Sequence, residues 1–318
     1  MATPSLTPAQ LSQYLAHIQL PQKYHPENNP ERDIAFLTAL HVHQISTVPY
    51  DNLTLHYSRD KKIIIDPQHV FRKIVVDARG RGGYCMENSI FFNHVLRGLG
   101  FDAYTAGVRI RLRENGVPQG DYIGWVHLVN IVTLASGARY MVDVGFGGDA
   151  PTVPIPLVHD RPTTNIAPQQ NRLVLGHIPQ QVSRTPESRL WIYEYRNAPE
   201  QPWNAFYAFP LVEFLEADFN ILNWYTGSNP ESFQTFTPLV IKFLRRRKVG
   251  GAEEDEVEVH GKRMLVNGVV KENLGGKTYV LQECKSEEER LEALEKWFGI
   301  TFTQEEKEGI RGHVSELR

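Results

Sequence analysis

The sequence of 318 residues predicts a multi-domain α+β protein, because the spacing of its apolar residues changes twice along the chain. In residues 1–100, apolar residues recur at helical intervals behind helix-start signals. In residues 101–210 the period approaches two, as in Ala106 and Val108, which is typical of an antiparallel barrel or sheet. Residues 211–318 mix both patterns. No repeat or long linker separates these segments, so we expect them to pack as one body.

The first segment carries a series of helix-start signals. Residues 7–10, Thr-Pro-Ala-Gln, form a capping box with proline at the first helical position. Asn29-Pro30 predicts the start of a second helix, and Asp66-Pro67 that of a short third one. A fourth helical pattern begins at Cys85.

The second segment contains strands that are separated by hairpin turns. Asn115-Gly116 and Ser136-Gly137 are typical turn sequences. Residues 125–130 form a predicted strand that carries His127, and the next predicted strand leads through Asp143 into a glycine turn. His127 and Asp143 are therefore expected on neighbouring antiparallel strands, at similar height.

The third segment mixes predicted helices and strands. A helix is expected within residues 211–225 and a strand within residues 238–247. Short strands are expected around Asn267-Gly268 and Gly275-Gly276. Residues 286–298 predict a closing helix with its own capping box.

Residues 81–88, Arg-Gly-Gly-Tyr-Cys-Met-Glu-Asn, hold the candidate nucleophile, Cys85. A thiol at a helix N-terminus faces unpaired N–H groups and the positive end of the helix dipole, which favour thiolate. On its own, Cys85 fits a buried structural cysteine as well. With His127 and Asp143 it fits catalysis, because a carboxylate can fix the imidazole tautomer while the imidazole takes the thiol proton.

Composition limits the possible partners. The net charge of −3 gives no reason to expect nucleic acid or an anionic membrane as a partner, and no apolar run reaches the length of a membrane span. We expect a cytoplasmic protein with reduced thiols at Cys85 and Cys284, since the first residues lack a secretory pattern. No metal is expected, because His41, His43 and His56 lack the ligand spacing of a zinc site.

The nucleophile segment, His127 and residues 142–147 resemble the arylamine N-acetyltransferases, whose signature is Arg-Gly-Gly-aromatic-Cys followed by His and Asp. The likeness covers almost the whole chain. Residues 48–53, 223–230 and 296–300 are similar to further segments of that family. Ser89 departs from the pattern, because many members have asparagine there, and residues 151–186 match only loosely.

The resemblance implies a fold and a set of partners. Residues 1–100 would form a helical bundle with the nucleophile, residues 101–210 a β-barrel with the histidine and aspartate, and residues 211–318 an α/β lid. A papain-like Cys-His-Asp core would lie between them. No cofactor would be bound permanently. Acetyl-CoA or another short acyl-CoA would be the co-substrate, and a small arylamine would be the acceptor.

The resemblance also implies binding residues. Gly124 would allow close approach of the pantetheine arm, and Gly147 would play a similar part. Thr226 and Ser228 match the segment that contacts coenzyme A. Tyr50 and Phe146 would line the pocket for the acceptor and the acyl group.

The expected reaction has two half-reactions. The Cys85 thiolate attacks the acyl thioester and releases coenzyme A, and an amine then takes the acyl group as an amide. Active thiolate would give activity well below the ordinary thiol pKa of about 8.5. A cysteine hydrolase, a transglutaminase-like enzyme and a non-catalytic binding protein remain alternatives, and the acyl group is open among acetyl, propionyl and malonyl.

Overall fold

The computed structural model describes residues 5–250 and 256–317, and its secondary structure alternates between helical and antiparallel regions. The α-helices are α1 Pro8–His17, α2 Ile34–Thr47, α3 Thr54–Tyr57, α4 Pro67–Phe71, α5 Cys85–Gly98, α6 Glu216–Ser228, α7 Phe233–Phe236, α8 Glu287–Phe298 and α9 Gln304–Gly309. The strands are β1 Tyr50–Asp51, β2 Asp102–Glu114, β3 Val117–Thr133, β4 Arg139–Val142, β5 Ile155–Pro156, β6 Thr163–Thr164, β7 Gln170–Gly176, β8 Leu190–Arg196, β9 Asn204–Phe209, β10 Leu239–Arg247, β11 Val257–Val266, β12 Val269–Asn273 and β13 Thr278–Glu283.

Helices α1 and α4 begin where side-chain caps predicted them. The Thr7 hydroxyl accepts a hydrogen bond from the Gln10 N–H at 3.3 Å, and the Gln10 side chain accepts one from the Thr7 N–H at 2.9 Å. Asp66 caps α4 by accepting from the His69 N–H at 2.9 Å. Each cap satisfies N–H groups that a helix start leaves unpaired.

The predicted start of the second helix at Asn29-Pro30 was wrong. Helix α2 begins at Ile34, where the Asp33 carboxylate accepts a hydrogen bond from the Phe36 N–H at 2.9 Å. Asn29 instead follows a short 3₁₀ helix and lies in the left-handed region, with φ of 45°. An asparagine can end a helical turn in this conformation.

The larger sheet has eight antiparallel strands in the order β5-β4-β3-β2-β9-β8-β7-β6. The β2–β3 hairpin turns at Asn115 and Gly116, whose φ angles of 53° and 82° suit a type I′ turn. A bridge between His159 and Leu173 joins the two ends of the sheet, which is nearly a closed barrel. The predicted α+β class is confirmed.

The second sheet has five strands in the order β1-β10-β11-β12-β13. Strand β1 comes from the helical first part of the chain, and its Tyr50 pairs with Ile241 of β10. Helix α8 packs on this sheet and begins at the expected cap, with the Ser286 hydroxyl accepting from the Glu289 N–H at 3.2 Å. Among the described residues, no helix combines the length and the apolar character that crossing a membrane requires.

Candidate active site

The loop before Cys85 is held by a buried ion pair. Arg81 Nη2 donates to Asp51 Oδ1 at 2.9 Å, and the Gly82 N–H donates to the other carboxylate oxygen at 2.7 Å. Burial alone would raise the pKa of Asp51, but the Arg81 guanidinium and then Lys73 hold it below its ordinary value. Asp51 is therefore ionised and fixes the loop to strand β1.

The two glycines of this loop are required by close contacts. A Cβ on Gly82 would lie 1.9 Å from the Pro49 carbonyl oxygen. A Cβ on Gly83 would lie 2.5 Å from the Glu87 Cβ. Both distances are far below van der Waals contact, so larger residues would push the loop away from β1 or from the helix that follows.

Helix α5 begins at Cys85 with an acidic residue in its first turn. Glu87 accepts a hydrogen bond from the Tyr84 N–H at 3.1 Å and pairs with Lys73 Nζ at 2.7 Å. A carboxylate in this place satisfies a free N–H and interacts favourably with the helix dipole. The start of the helix, and with it the position of Cys85, is thereby fixed.

The Cys85 thiol is buried, with 5% of its surface exposed, and its sulfur lies 3.8 Å from the Val126 carbonyl oxygen. Burial raises the pKa of the thiol, and the Asp143 carboxylate raises it further. The N–H groups of Met86 and of Cys85 itself act in the opposite direction, but less strongly. The net shift is thus upward, whereas the position at a helix N-terminus alone had predicted a downward shift.

A β-bulge brings His127 to the site. In the β2–β3 pair, Val108 lies opposite His127 while Arg109 lies opposite Trp125, so Val126 is an extra residue in β3. A bulge redirects the neighbouring side chains. Here the Val126 carbonyl faces Cys85, and the His127 ring packs 5.0 Å from the ring of Phe146.

His127 and Asp143 are in direct contact. The His127 Nε2 and Asp143 Oδ2 atoms are 2.9 Å apart, and both side chains are buried. A carboxylate only accepts, so Nε2 carries the proton and Nδ1 of a neutral ring is free to accept one. The second oxygen of Asp143 accepts from the Gly145 N–H at 3.0 Å, which fixes the carboxylate.

A buried amide pair joins the strand of His127 to the helix of Cys85. Asn130 of β3 donates to the Ser89 carbonyl at 3.0 Å and accepts from the Asn93 side chain at 2.9 Å. The Ser89 hydroxyl lies near Gly145, where a Cβ would approach it to 2.6 Å. Asn130 and Asn93 were not among the site residues predicted from the sequence. The signal that could have identified them is their short distance along the chain from His127 and from Cys85.

The two residues expected in the pocket both lie at this site. Tyr50 is buried, and its hydroxyl accepts a hydrogen bond from Gln234 Nε2 at 2.6 Å. Burial raises the pKa of Tyr50, and the neighbouring Cys85 raises it further. Phe146 contacts His127 on one side and the ring of Phe206, at 4.6 Å, on the other.

The two glycines expected on the donor side differ in their surroundings. A Cβ on Gly124 would meet nothing within 4 Å, so there is open space beside this backbone. Gly147 has φ of 91°, and a Cβ there would lie 2.7 Å from Ile241 Cδ1. Gly147 therefore has a conformational reason to be glycine.

The two hydroxyl residues expected on the donor side also differ. Thr226 is buried and donates to the Leu222 carbonyl at 2.7 Å, within its own helix. Ser228 is exposed and lines a surface concavity together with Lys61 and Lys62. Asp60 also lines the concavity and offsets one of the two lysine charges, so the net charge of the lining is positive.

The histidines that were rejected as metal ligands contact protein groups. His41 Nε2 lies 3.1 Å from the Pro151 carbonyl, and His43 Nδ1 lies 3.0 Å from the Ile18 carbonyl. His56 Nδ1 lies 2.8 Å from the Ser315 hydroxyl. Within residues 5–250 and 256–317, no group of three or more His, Cys, Asp and Glu side chains is arranged to hold a metal ion.

Comparison with known proteins identifies the class as acyltransferase. A family model described as N-acetyltransferase matches residues 33–306. The chain is 34% identical to N-malonyltransferase FDB2 of Fusarium pseudograminearum, over 96% of this chain and 93% of that protein. It is 31% identical to the arylamine N-acetyltransferase of Escherichia coli, over 63% of each chain.

Solved structures show the same fold. The arylamine N-acetyltransferase of Mycobacterium abscessus superposes with a TM-score of 0.78 at 21% identity, covering 99% of this chain and 100% of that one. The Salmonella typhimurium enzyme gives a TM-score of 0.75 at 21% identity, covering 95% and 97%. The chain belongs to the arylamine N-acetyltransferase family.

Proposed function

We propose that this protein transfers a short acyl group from coenzyme A to an arylamine through an S-acyl intermediate on Cys85. The observation that carries this proposal is the hydrogen bond between His127 and Asp143, in a chain of this family. The carbonyl of Val126, the residue before His127, lies 3.8 Å from the buried Cys85 sulfur. Cys85 is the nucleophile, His127 the general base and acid, and Asp143 the group that orients the imidazole.

In the first half-reaction, the Cys85 proton moves to His127 Nδ1 while the sulfur attacks the thioester carbonyl. Because burial and Asp143 raise the thiol pKa, we infer that the thiolate forms only together with an imidazolium beside it. The tetrahedral intermediate collapses, the thiolate of coenzyme A leaves, and the imidazolium gives that thiolate its proton.

In the second half-reaction, the arylamine nitrogen attacks the acyl carbonyl and loses a proton to His127. The Cys85 sulfur leaves and is reprotonated, so the free enzyme is restored. The product is an amide, which is more stable than either thioester. Atoms and protons balance over the two steps without any further reactant.

We infer that malonyl-CoA is the donor. The fungal relatives named N-malonyltransferase align with 96% of this chain, whereas the Escherichia coli enzyme aligns with 63%. Acetyl and propionyl donors are the other outcomes of a direct competition with a fixed aniline acceptor.

The binding residues are proposed from the family resemblance and from their surroundings. The open space beside Gly124 suits the pantetheine arm, with Gly147 nearby in the glycine turn. Ser228, with its lysine neighbours, suits a phosphate of coenzyme A, and Thr226 supports that end of α6. Tyr50 and Phe146 form the apolar wall of the pocket that receives the acyl group and the amine.

The test is intact-protein mass spectrometry. Incubation with an acyl-CoA should add the mass of one acyl group to Cys85, and aniline should then remove it. Cys284→Ala is the matched control and should keep the adduct, because Cys284 lies near α8 in the second sheet. Cys85→Ala should show none. Absence of an adduct with acetyl-, propionyl- and malonyl-CoA, or cleavage of peptides instead, would overturn the proposal.

A further inference from the structure

Strand β2 carries an arginine, Arg109, that no part of the proposed mechanism uses. We propose that Arg109 binds an anionic oxygen group of the acyl-CoA donor. This inference rests on the proposed function and adds a residue that recognises the negative charge of the donor. It is carried by the partners of Arg109, by its place relative to Cys85, and by the chemistry of the guanidinium group.

Arg109 is partly buried and has an aromatic neighbour but no anionic one. Its guanidinium carbon lies 4.0 Å from the centre of the Trp125 ring. In the part of the chain that the structure describes, no carboxylate lies within 4.0 Å of it and its side-chain N–H groups make no hydrogen bond within the protein. Burial lowers the pKa of Arg109, yet an arginine remains charged at neutral pH.

The next two arginines of the same strand are satisfied by oxygen atoms. Arg111 donates to the Gly120 carbonyl at 2.9 Å and to the Ala205 carbonyl at 3.2 Å. Arg113 pairs with the Asp149 carboxylate. Unlike Arg111 and Arg113, Arg109 keeps its side-chain donors available to a ligand.

The β-bulge pairs this arginine with the part of β3 that contacts Cys85. Arg109 lies directly opposite Trp125, the residue before Val126, whose carbonyl is 3.8 Å from the Cys85 sulfur. Trp125 also packs against the apolar cluster that contains Cys85 and Leu128. Arg109 thus lies over a tryptophan that packs against the Cys85 cluster.

A guanidinium over an aromatic ring is held in place by the ring and keeps its N–H edge available. That edge matches a carboxylate or a phosphate with two parallel hydrogen bonds. The donor offers both groups: an acidic acyl group such as malonyl carries a carboxylate close to the thioester, and coenzyme A carries phosphates. Either would supply the missing partner.

Four donors separate the two sources: acetyl-CoA, malonyl-CoA, and the acetyl and malonyl thioesters of N-acetylcysteamine, which has no phosphate. We would measure kcat/KM with aniline for the wild type and for Arg109→Gln. If Arg109 binds the carboxylate, the substitution should lower kcat/KM for both malonyl donors on the order of 10- to 100-fold. It should change kcat/KM little for both acetyl donors. If Arg109 binds a phosphate, the substitution should lower kcat/KM for both coenzyme A thioesters. It should leave kcat/KM unchanged for both N-acetylcysteamine thioesters.

The comparison is made between donors within one enzyme preparation, so a smaller folded fraction cannot imitate the result. Arg109→Lys should restore part of the lost kcat/KM, because lysine keeps the positive charge but lacks the paired N–H donors of the guanidinium group. Arg111→Gln is the matched control from the same strand and should leave the donor ratios unchanged. An equal change for all four donors, or none, overturns the role of Arg109. A wild type that uses none of them overturns the proposed function instead.

Discussion

Asp51 and Arg81 form an ion pair in which both side chains are buried, with Arg81 Nη2 2.9 Å from Asp51 Oδ1. The pair joins strand β1 to the loop that ends at Cys85, and it does so across 30 positions of sequence. The proposed nucleophile is therefore positioned by an electrostatic contact outside the three residues proposed for catalysis.

Replacing Asp51 by asparagine should destabilise the protein and lower activity together. The substitution leaves the Arg81 charge buried with a weaker partner, and removing one partner of a buried pair costs about 3–5 kcal/mol. Urea unfolding measures this cost. Asp121→Asn is the control, since Asp121 is exposed in β3. Equal stability of both variants would show that the ion pair does not support the loop.

Adding one methyl group at Gly82 should have a comparable effect. The new Cβ of Gly82→Ala would lie 1.9 Å from the Pro49 carbonyl oxygen, so the loop must move away from β1. We expect a lower midpoint in urea and slower acylation of Cys85. Gly176→Ala is the matched control, because its Cβ would lie 3.8 Å from Ile192 Cδ1, which is ordinary van der Waals contact. A Gly82→Ala protein as stable and active as that control would contradict the packing argument.

Replacing Asp143 by asparagine should reduce kcat while leaving the fold intact. An amide can donate to the imidazole, which favours the tautomer that presents a proton, instead of a lone pair, to the sulfur. The loss should be on the order of ten-thousandfold. Steady-state kinetics beside a thermal unfolding curve measures both quantities. Retention of more than a tenth of kcat would remove Asp143 from its proposed role.

The pH dependence of Cys85 alkylation should differ between the wild type and His127→Gln. Burial and Asp143 raise the thiol pKa, so without the imidazole the thiolate should appear only above the ordinary value of about 8.5. In the wild type, proton transfer to His127 should give alkylation at neutral pH. The rate with iodoacetamide, followed by mass spectrometry from about pH 6 to about pH 10, measures this. Superimposable profiles would contradict proton transfer.

Local signals in the sequence predicted much of the fold. Side-chain caps fixed the starts of α1 and α4, and Asn115-Gly116 fixed a hairpin, because each depends on residues a few positions apart. The helix start predicted at Asn29-Pro30 was wrong for the same reason, because that prediction used only neighbouring residues. Asparagine before proline suits a turn as well as a helix start, and the cap that α2 uses is Asp33, a little further along the chain.

The arrangement of the site depended on contacts that local patterns do not contain. The sequence predicted that His127 and Asp143 lie on neighbouring strands, and the two side chains do meet. It did not predict the extra residue Val126 in β3, because a bulge depends on pairing with β2. It gave the wrong direction for the Cys85 pKa, because burial depends on the whole fold.

Strand β1 pairs with β10, so the segment before the nucleophile is completed by residues made much later in the chain. Glu306 of α9 also pairs with Arg79, beside the same loop. A ribosome would release the cysteine long before it released these partners, since synthesis runs from the N-terminus. Cys85 is thus made early, while its surroundings are complete only after β10 and α9 have been made.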